Sequence, residues 1–298
     1  MELQLLNPKS SLAVAVFACT LLSGLFSCEE RINIQTDASA PRLVIYGYIT
    51  TDTLQHGVRI SRSSDYFSTD KPEGISQAKV SIRHKDEVFT LTESPSEQGY
   101  YQTEAGVSGE VGETYTLQVS LDFDGDGQEE AYEASSVLPP VATLDSIAVR
   151  PSTLFEHFLE VQIWGRLPEQ EENFLSFHLY RDDYLVNDSL QGFSINSDEF
   201  LSSKDIIGFP AFYLNQRRES STLRPGSMIT FQIEGITREY GTFILNAQAE
   251  ARGSTPMFSA PPANLETNIL SLSPTPNIRL SGFFTAYSKN QISMIYQP

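Results

Sequence analysis

The residues with the clearest capacity for chemistry are Asp122-Phe123-Asp124-Gly125-Asp126-Gly127-Gln128, with Glu133 at the twelfth position counted from Asp122. Calcium is a hard cation that takes six to eight oxygens. A loop supplies them with carboxylates at positions one, three and five, a glycine at six, a backbone carbonyl at seven and a bidentate acid at twelve. Asp122, Asp124, Asp126, Gln128 and Glu133 are therefore candidate calcium ligands, with Glu130 as a second choice for the closing acid. Two features depart from the helix-flanked form of that loop: both flanks read as strands, and the eighth position, usually apolar, is Glu129. The competing reading is a plain hairpin turning at Asp126-Gly127, which sets Leu121 opposite Tyr132, Val119 opposite Ala134 and Glu133 opposite Ser120. In that register Glu133 is too far from the turn to chelate, so the two readings exclude each other.

Little else in the chain suggests catalysis. Both cysteines, Cys19 and Cys28, fall in the first tenth of the sequence, so no thiol nucleophile, disulfide or zinc thiolate is expected in the folded body. The histidines, His56, His84, His157 and His178, occur singly and are expected to be partly exposed strand or loop residues. No nucleophile elbow, zincin, Walker or dinucleotide fingerprint is present. Acidic groups such as Glu169 to Glu172 and Asp182-Asp183 read as solvated loops, although any two could form a glycosidase pair. Among the aromatics, Trp164, Phe209, Phe212 and Tyr213 are candidates to line a groove, with Trp164 expected in the core because it sits in an alternating strand.

With 38 acidic against 20 basic residues, the net charge of -18 repels phosphate backbones and anionic membranes, so nucleic-acid binding is not expected. The first residues carry a different message. Lys9 precedes an apolar run from Leu12 to Leu22, followed by Leu25-Phe26-Ser27-Cys28. The run is too short to cross about 30 Å of hydrocarbon but suits a secretory signal. The ending resembles a bacterial lipoprotein signal, which makes residues 1–27 a signal peptide and Cys28 the lipidated terminus. Two or more acyl chains, at about 0.8 kcal/mol per buried methylene, would anchor the chain without a transmembrane helix. Glu29-Glu30 resembles the acidic signal that sends Bacteroidota lipoproteins to the cell surface, and residues 28–41 read as a linker.

The elements that must position these groups are mostly strands. From Leu43 to Pro140, period-two runs alternate with turn residues; in the clearest, Tyr115, Leu117, Val119 and Leu121 share one face. Seven strands in residues 42–140 predict an immunoglobulin-like or transthyretin-like β-sandwich. Val137-Leu138-Pro139-Pro140 marks a boundary, and residues 141–298 read as a second β-rich domain with one packed helix near 237–252. Thr237 caps that helix, and Tyr240, Phe243, Ile244, Ala247 and Ala251 form its apolar stripe. Residues 196–225 read as a long loop containing one short helix. The expected fold class is all-β throughout.

Several segments together resemble a Bacteroidota lipoprotein family known only as domain of unknown function 4249. They are Cys28-Glu29-Glu30, Leu43 to Thr50, Val58 to Arg62, Tyr66-Phe67, Ala78 to Ile82, Gly99-Tyr100-Tyr101, Gly112 to Leu117, Asp145-Ser146-Ile147, Pro261 to Asn264, Thr267-Asn268-Ile269 and Gly282 to Ser288. The resemblance implies an outer-membrane lipoprotein, often encoded beside a TonB-dependent receptor, with no assigned catalytic residues. The acidic insertion at Asp122 to Glu133 departs from the family's shorter hairpin, so calcium does not follow from the resemblance. The expectation is a surface-exposed, non-enzymatic binding lipoprotein that partners a TonB-dependent receptor in nutrient uptake. The alternatives are a structural or adhesive module stabilised by calcium, and a glycan or peptide hydrolase.

Overall fold

The computed structural model describes residues 42–63, 71–199, 201, 203–252, 265–273 and 278–298. The signal peptide, Cys28 and the linker expected at 28–41 lie outside the described residues, as do Tyr66-Phe67 and Pro261 to Asn264.

The strands are β1 (Leu43–Thr50), β2 (Gly57–Arg62), β3 (Lys79–His84), β4 (Glu87–Glu93), β5 (Tyr100–Gln102), β6 (Thr114–Leu121), β7 (Glu130–Val137) and β8 (Thr143–Pro151). They continue as β9 (Phe158–Arg166), β10 (Phe174–Arg181), β11 (Tyr184–Leu185), β12 (Ser194–Ser197), β13 (Asp205–Asn215), β14 (Met228–Ile236), β15 (Leu270–Ser271) and β16 (Leu280–Ile295). Among the described residues one α-helix, α1 (Arg238–Ala251), follows β14.

Alternation folds the first half. On β6 the side chains of Tyr115, Leu117, Val119 and Leu121 point inward while their neighbours stay wetter. They meet Val80 and Ile82 from β3, Tyr132 from β7, and Ile45 and Ile60 from the facing layer in one core. Each such burial is worth about 1.5–3 kcal/mol. One layer runs β16-β1-β2-β5 and the other β4-β3-β6-β7-β15. Strand β4 turns the corner between them, pairing through Leu91 with β3 and through Thr92 and Glu93 with β5. The result is the β-sandwich read from the sequence.

A second core begins at Ala142, where Val161 and Ile163 of β9 face Leu175, Phe177, Phe231 and Ile233 of β10 and β14. Its layers are β13-β9-β8 and β11-β10-β14-β16, with β12 also on β10. The change of core follows Leu138, close to the boundary read at Pro140, but the hydrogen-bonded sheet does not stop there. Residues 42–140 do not close their own sandwich: Ile269, Phe284 and Ala286 complete the first core.

Strand β16 joins the halves. Leu280 to Tyr287 pairs parallel with β1, and Ser288 to Ile295 pairs antiparallel with β14. At the change of partner stands Ser288-Lys289-Asn290, whose polarity makes the sequence read as two strands with a break. The structure gives those groups partners instead. Ser288 Oγ donates to Pro139 O at 2.6 Å, Lys289 Nζ to Asp52 Oδ2 at 2.7 Å, and Asn290 Nδ2 to Ala142 O at 3.0 Å.

Thr237 caps α1 as expected, accepting from Tyr240 N at 3.2 Å. Tyr240 and Ile244 dock on Phe283, Ile236 and Phe174, and Tyr240 shares a 2.5 Å hydroxyl contact with Tyr46. The helix packs on β10, β12 and β16, so that β10 is buried almost continuously rather than alternately.

The expectation of a loop over 196–225 is corrected: β13 is an eleven-residue strand. Bulges between Ile206 and Phe209 and between Pro210 and Phe212 break its period-two pattern. Pro210 is tolerated because β13 is an edge strand. Trp164 is corrected too: it lies half-buried on the face of β9 opposite Val161 and Ile163, with Arg150 over its ring at 6.0 Å.

Candidate functional site

The β6–β7 hairpin carries the acidic loop at its tip, in a register neither simple reading anticipated. Leu121 faces Glu130, Val119 faces Tyr132 and Leu117 faces Ala134. The connection therefore runs from Asp122 to Glu129, longer than the two-residue Asp126-Gly127 turn. Glu133 lies opposite Gln118, accepts from its Nε2 at 3.0 Å and stands 3.8 Å from Arg83. Glu133 is thus corrected as a ligand, because the pairing carries it down the strand.

Glu130 takes the closing place. Carboxylate oxygens of Asp122, Asp124, Asp126 and Glu130 all lie within 4.8 Å of one another. Glu130 is only 3% exposed, and its Oε2 accepts from Phe123 N at 2.9 Å. The loop wraps around Asp122, whose two oxygens accept from Gly125 N at 2.7 Å and Gly127 N at 3.0 Å. Both glycines have positive φ, which makes a side chain costly at either position. Gln128 folds back on Asp126, its backbone N–H donating to Oδ1 at 2.7 Å. Arg62 anchors the base, donating to Phe123 O at 2.7 Å and stacking on the Phe123 ring. Tyr132 lies two residues beyond Glu130 on the inward face of β7. It is 2% exposed, and its hydroxyl has no hydrogen-bond partner. Burial raises its pKa, and so do the charges of Glu130 and Asp124.

A second acidic group, His84 with Glu110 and Glu113, has a comparable shape but holds a cation of its own. Lys85 Nζ reaches Glu113 at 2.9 Å and Glu110 at 3.5 Å. Among the described residues, none of the four carboxylates at the hairpin tip is ion-paired.

The histidines depart from expectation, since His56, His84 and His178 are all buried. Local partners make this tolerable: His56 Nε2 lies 3.0 Å from Val107 O, and His84 stacks on Tyr115 at 4.7 Å. His178 Nε2 is 3.0 Å from Ser176 Oγ and 3.1 Å from Glu234 Oε2. Those three residue types are those of a hydrolytic triad, but the geometry is not. A relay uses opposite ring nitrogens for nucleophile and acid, whereas both partners here crowd Nε2 and Nδ1 has none. Ser176 is also buried.

Two concave surfaces belong to the second sandwich. A groove of about 350 Å³ has Leu167, Leu175 and Phe177 on its floor and Leu201, Ile207 and Phe209 at its mouth. Asp198 at its edge accepts from Asn173 Nδ2 and Lys204 Nζ, each at 2.6 Å. Of the aromatic candidates only Phe209 lines this groove; Phe212 packs on Phe231 at 6.2 Å and Tyr213 on Phe155 at 5.3 Å. A cavity of about 510 Å³ is lined by Arg181, Arg217 and Arg224 with Asp182, Glu219 and Thr222. The sequence reading missed it. Its signal was the gathering of Arg217-Arg218 and Arg224 in an otherwise acidic chain.

The fold and site define an all-β protein of two sandwiches sharing one long strand, with an acidic loop at a hairpin tip. The chain belongs to the family described as domain of unknown function (DUF4249), matched over residues 29–293. No curated protein matches it. Among solved structures it is similar to the crystal structure of chicken CNTN1 FN1–FN3 domains, at 12% identity and a TM-score of 0.28. That match covers 66% of this chain and 62% of the other, so the chain spans less than two thirds of that structure's length.

Proposed function

We propose that this protein is a non-enzymatic binding lipoprotein, held at the outer-membrane surface through Cys28, that assists a TonB-dependent receptor in nutrient uptake. The observation that carries the reading is where the family match begins. It starts at residue 29, directly after the cysteine that ends the apolar leader. The family body thus opens where a lipidated amino terminus would stand. Among the described residues no helix is long and apolar enough to cross a membrane, and acyl chains on Cys28 supply attachment without one. The groove and the arginine-lined cavity, at about 350 and 510 Å³, have volumes suited to small ligands.

The test is affinity capture of the mature lipoprotein from detergent-solubilised outer membranes of its own cells. Co-purification of a TonB-dependent β-barrel at near-equal stoichiometry is the expected result. Recovery of the lipoprotein without any β-barrel receptor, under conditions that keep it lipidated, overturns the reading.

A further inference from the structure

We propose that the arginine-lined cavity of the second sandwich binds a small hydroxylated carboxylate, a sugar acid in chemical class. Arg181, the last residue of β10, and Asp182 after it form one side of the cavity. Arg217, Glu219, Thr222 and Arg224, from residues 216–227 leading to β14, form the other.

Charge singles the cavity out. Acids outnumber bases by 38 to 20 in this chain, and its cations commonly find them: Arg59, Lys79, Lys85, Arg166, Lys204 and Arg238 each hold a carboxylate. Around this cavity the pattern breaks. Among the described residues none of Arg181, Arg217 and Arg224 is ion-paired, although Asp182 and Glu219 line the same space. Three guanidiniums against two carboxylates leave one net positive charge at a concave surface, in a chain of net charge -18. A concave wall focuses such a field and draws in a small anion.

The site is also held in shape. Arg181 Nη1 donates to Glu219 O at 2.8 Å and to Thr222 O at 2.9 Å, which ties β10 to the facing segment. Carbonyls fix the guanidinium without cancelling its charge, and they engage one nitrogen of a group that carries five donors. The facing segment is braced by its own side chains. Gln216 Oε1 accepts from Leu223 N at 3.0 Å, and Ser221 Oγ donates to Asn215 O at 2.8 Å. On the other side Asp182 Oδ1 accepts from Met228 N at 2.8 Å. A cavity ordered before binding spares a ligand the cost of ordering it.

The lining selects the ligand. A guanidinium fork matches the oxygens of a carboxylate or a phosphate. A phosphate monoester carries about -1.5 to -2 at pH 7 and would meet Asp182 and Glu219 in the same space, whereas a carboxylate carries one charge and matches the net charge of the wall. Asp182 and Glu219 can accept from ligand hydroxyls, which gives the two acids a use that a bare anion does not. The volume, about 510 Å³, is that of a small-molecule site.

This ligand class deepens the binding role proposed above and rests on that role for its use in uptake. Isothermal titration calorimetry on the mature chain (residues 28–298) in detergent separates the two, because it needs no receptor: a failed titration leaves β-barrel capture standing, and failed capture leaves the titration standing. The probes are glucuronate and lactobionate, their neutral counterparts glucose and lactose, and inorganic phosphate. At least one of the two acids should saturate at one per chain with a Kd below about 1 mM, while neither neutral sugar does. Affinity should fall about tenfold or more in Arg217→Gln and in Arg224→Gln, both exposed positions, with circular dichroism confirming the fold. The proposal is overturned if neither acid saturates below about 1 mM, if the neutral sugars bind as tightly, if phosphate binds more tightly than both acids, or if the folded arginine variants keep wild-type affinity.

Discussion

Phe284 tests whether the shared strand makes the two cores one cooperative body. Its ring is fully buried in the first core and lies over Gly47, while its backbone N–H and C=O are both bonded by the Asn268 side chain. Phe284→Ala removes the ring and keeps those backbone bonds, so the loss is one of packing, about 3–5 kcal/mol. At about 2–4 °C per kcal/mol for a body of this size, Tm should fall by about 6–20 °C. The assay uses the chain's one tryptophan, Trp164, which stands on β9 in the second sandwich. Because β16 runs unbroken from β1 to β14, the Trp164 fluorescence midpoint should fall as far as the far-UV circular dichroism midpoint. A Trp164 midpoint left unmoved, with a separate earlier transition by circular dichroism, would refute the coupling through β16.

Thr237→Ala removes the cap accepting from Tyr240 N and should cost about 1 kcal/mol, read from urea denaturation. At Asp198, burial works against the charged form, but the Asn173 N–H and side chain and the Lys204 ammonium outweigh it and hold the pKa below its ordinary value. A depressed carboxylate stabilises the fold above the ordinary aspartate range, about pH 4, and loses that contribution as pH falls through the folded value. Asp198→Asn should therefore cost about 1.5–3 kcal/mol at pH 7, with the gap to wild type narrowing in urea titrations as pH falls below about 4. A gap constant across that range would contradict the assignment.

Much of the architecture is legible in the sequence where a strand has one wet face. Tyr115, Leu117, Val119 and Leu121 alternate because only one side of β6 meets the core, and β1 and β7 follow the same rule. The pattern fails where both faces are covered or the pleat is interrupted. Bulges beside Gly208 and Pro210 hid β13, and Ser288 to Asn290 disguised β16 as two strands, because their partners, Pro139, Asp52 and Ala142, come from distant segments. The parallel pairing of β1 with β16 has no local signature. The acidic loop was visible as a ligand set, but not which acid closes it. That depends on hairpin register, which carries Glu133 to a place opposite Gln118 and leaves Glu130 opposite Leu121 at the end of the loop. The arginine-lined cavity gathers residues from β10 and from the segment leading to β14, a convergence that spacing along the chain does not record.

The central claim is attachment through Cys28, and the direct measurement is cell fractionation paired with mass spectrometry of the mature amino terminus. The wild-type chain should begin at Cys28 bearing diacylglycerol and an acylated amine, and should stay with outer membranes through carbonate and salt washing. Cys28→Ala should release the folded body into the soluble exported fraction. An unmodified Cys28, or a Cys28→Ala chain that still resists washing, would contradict the account.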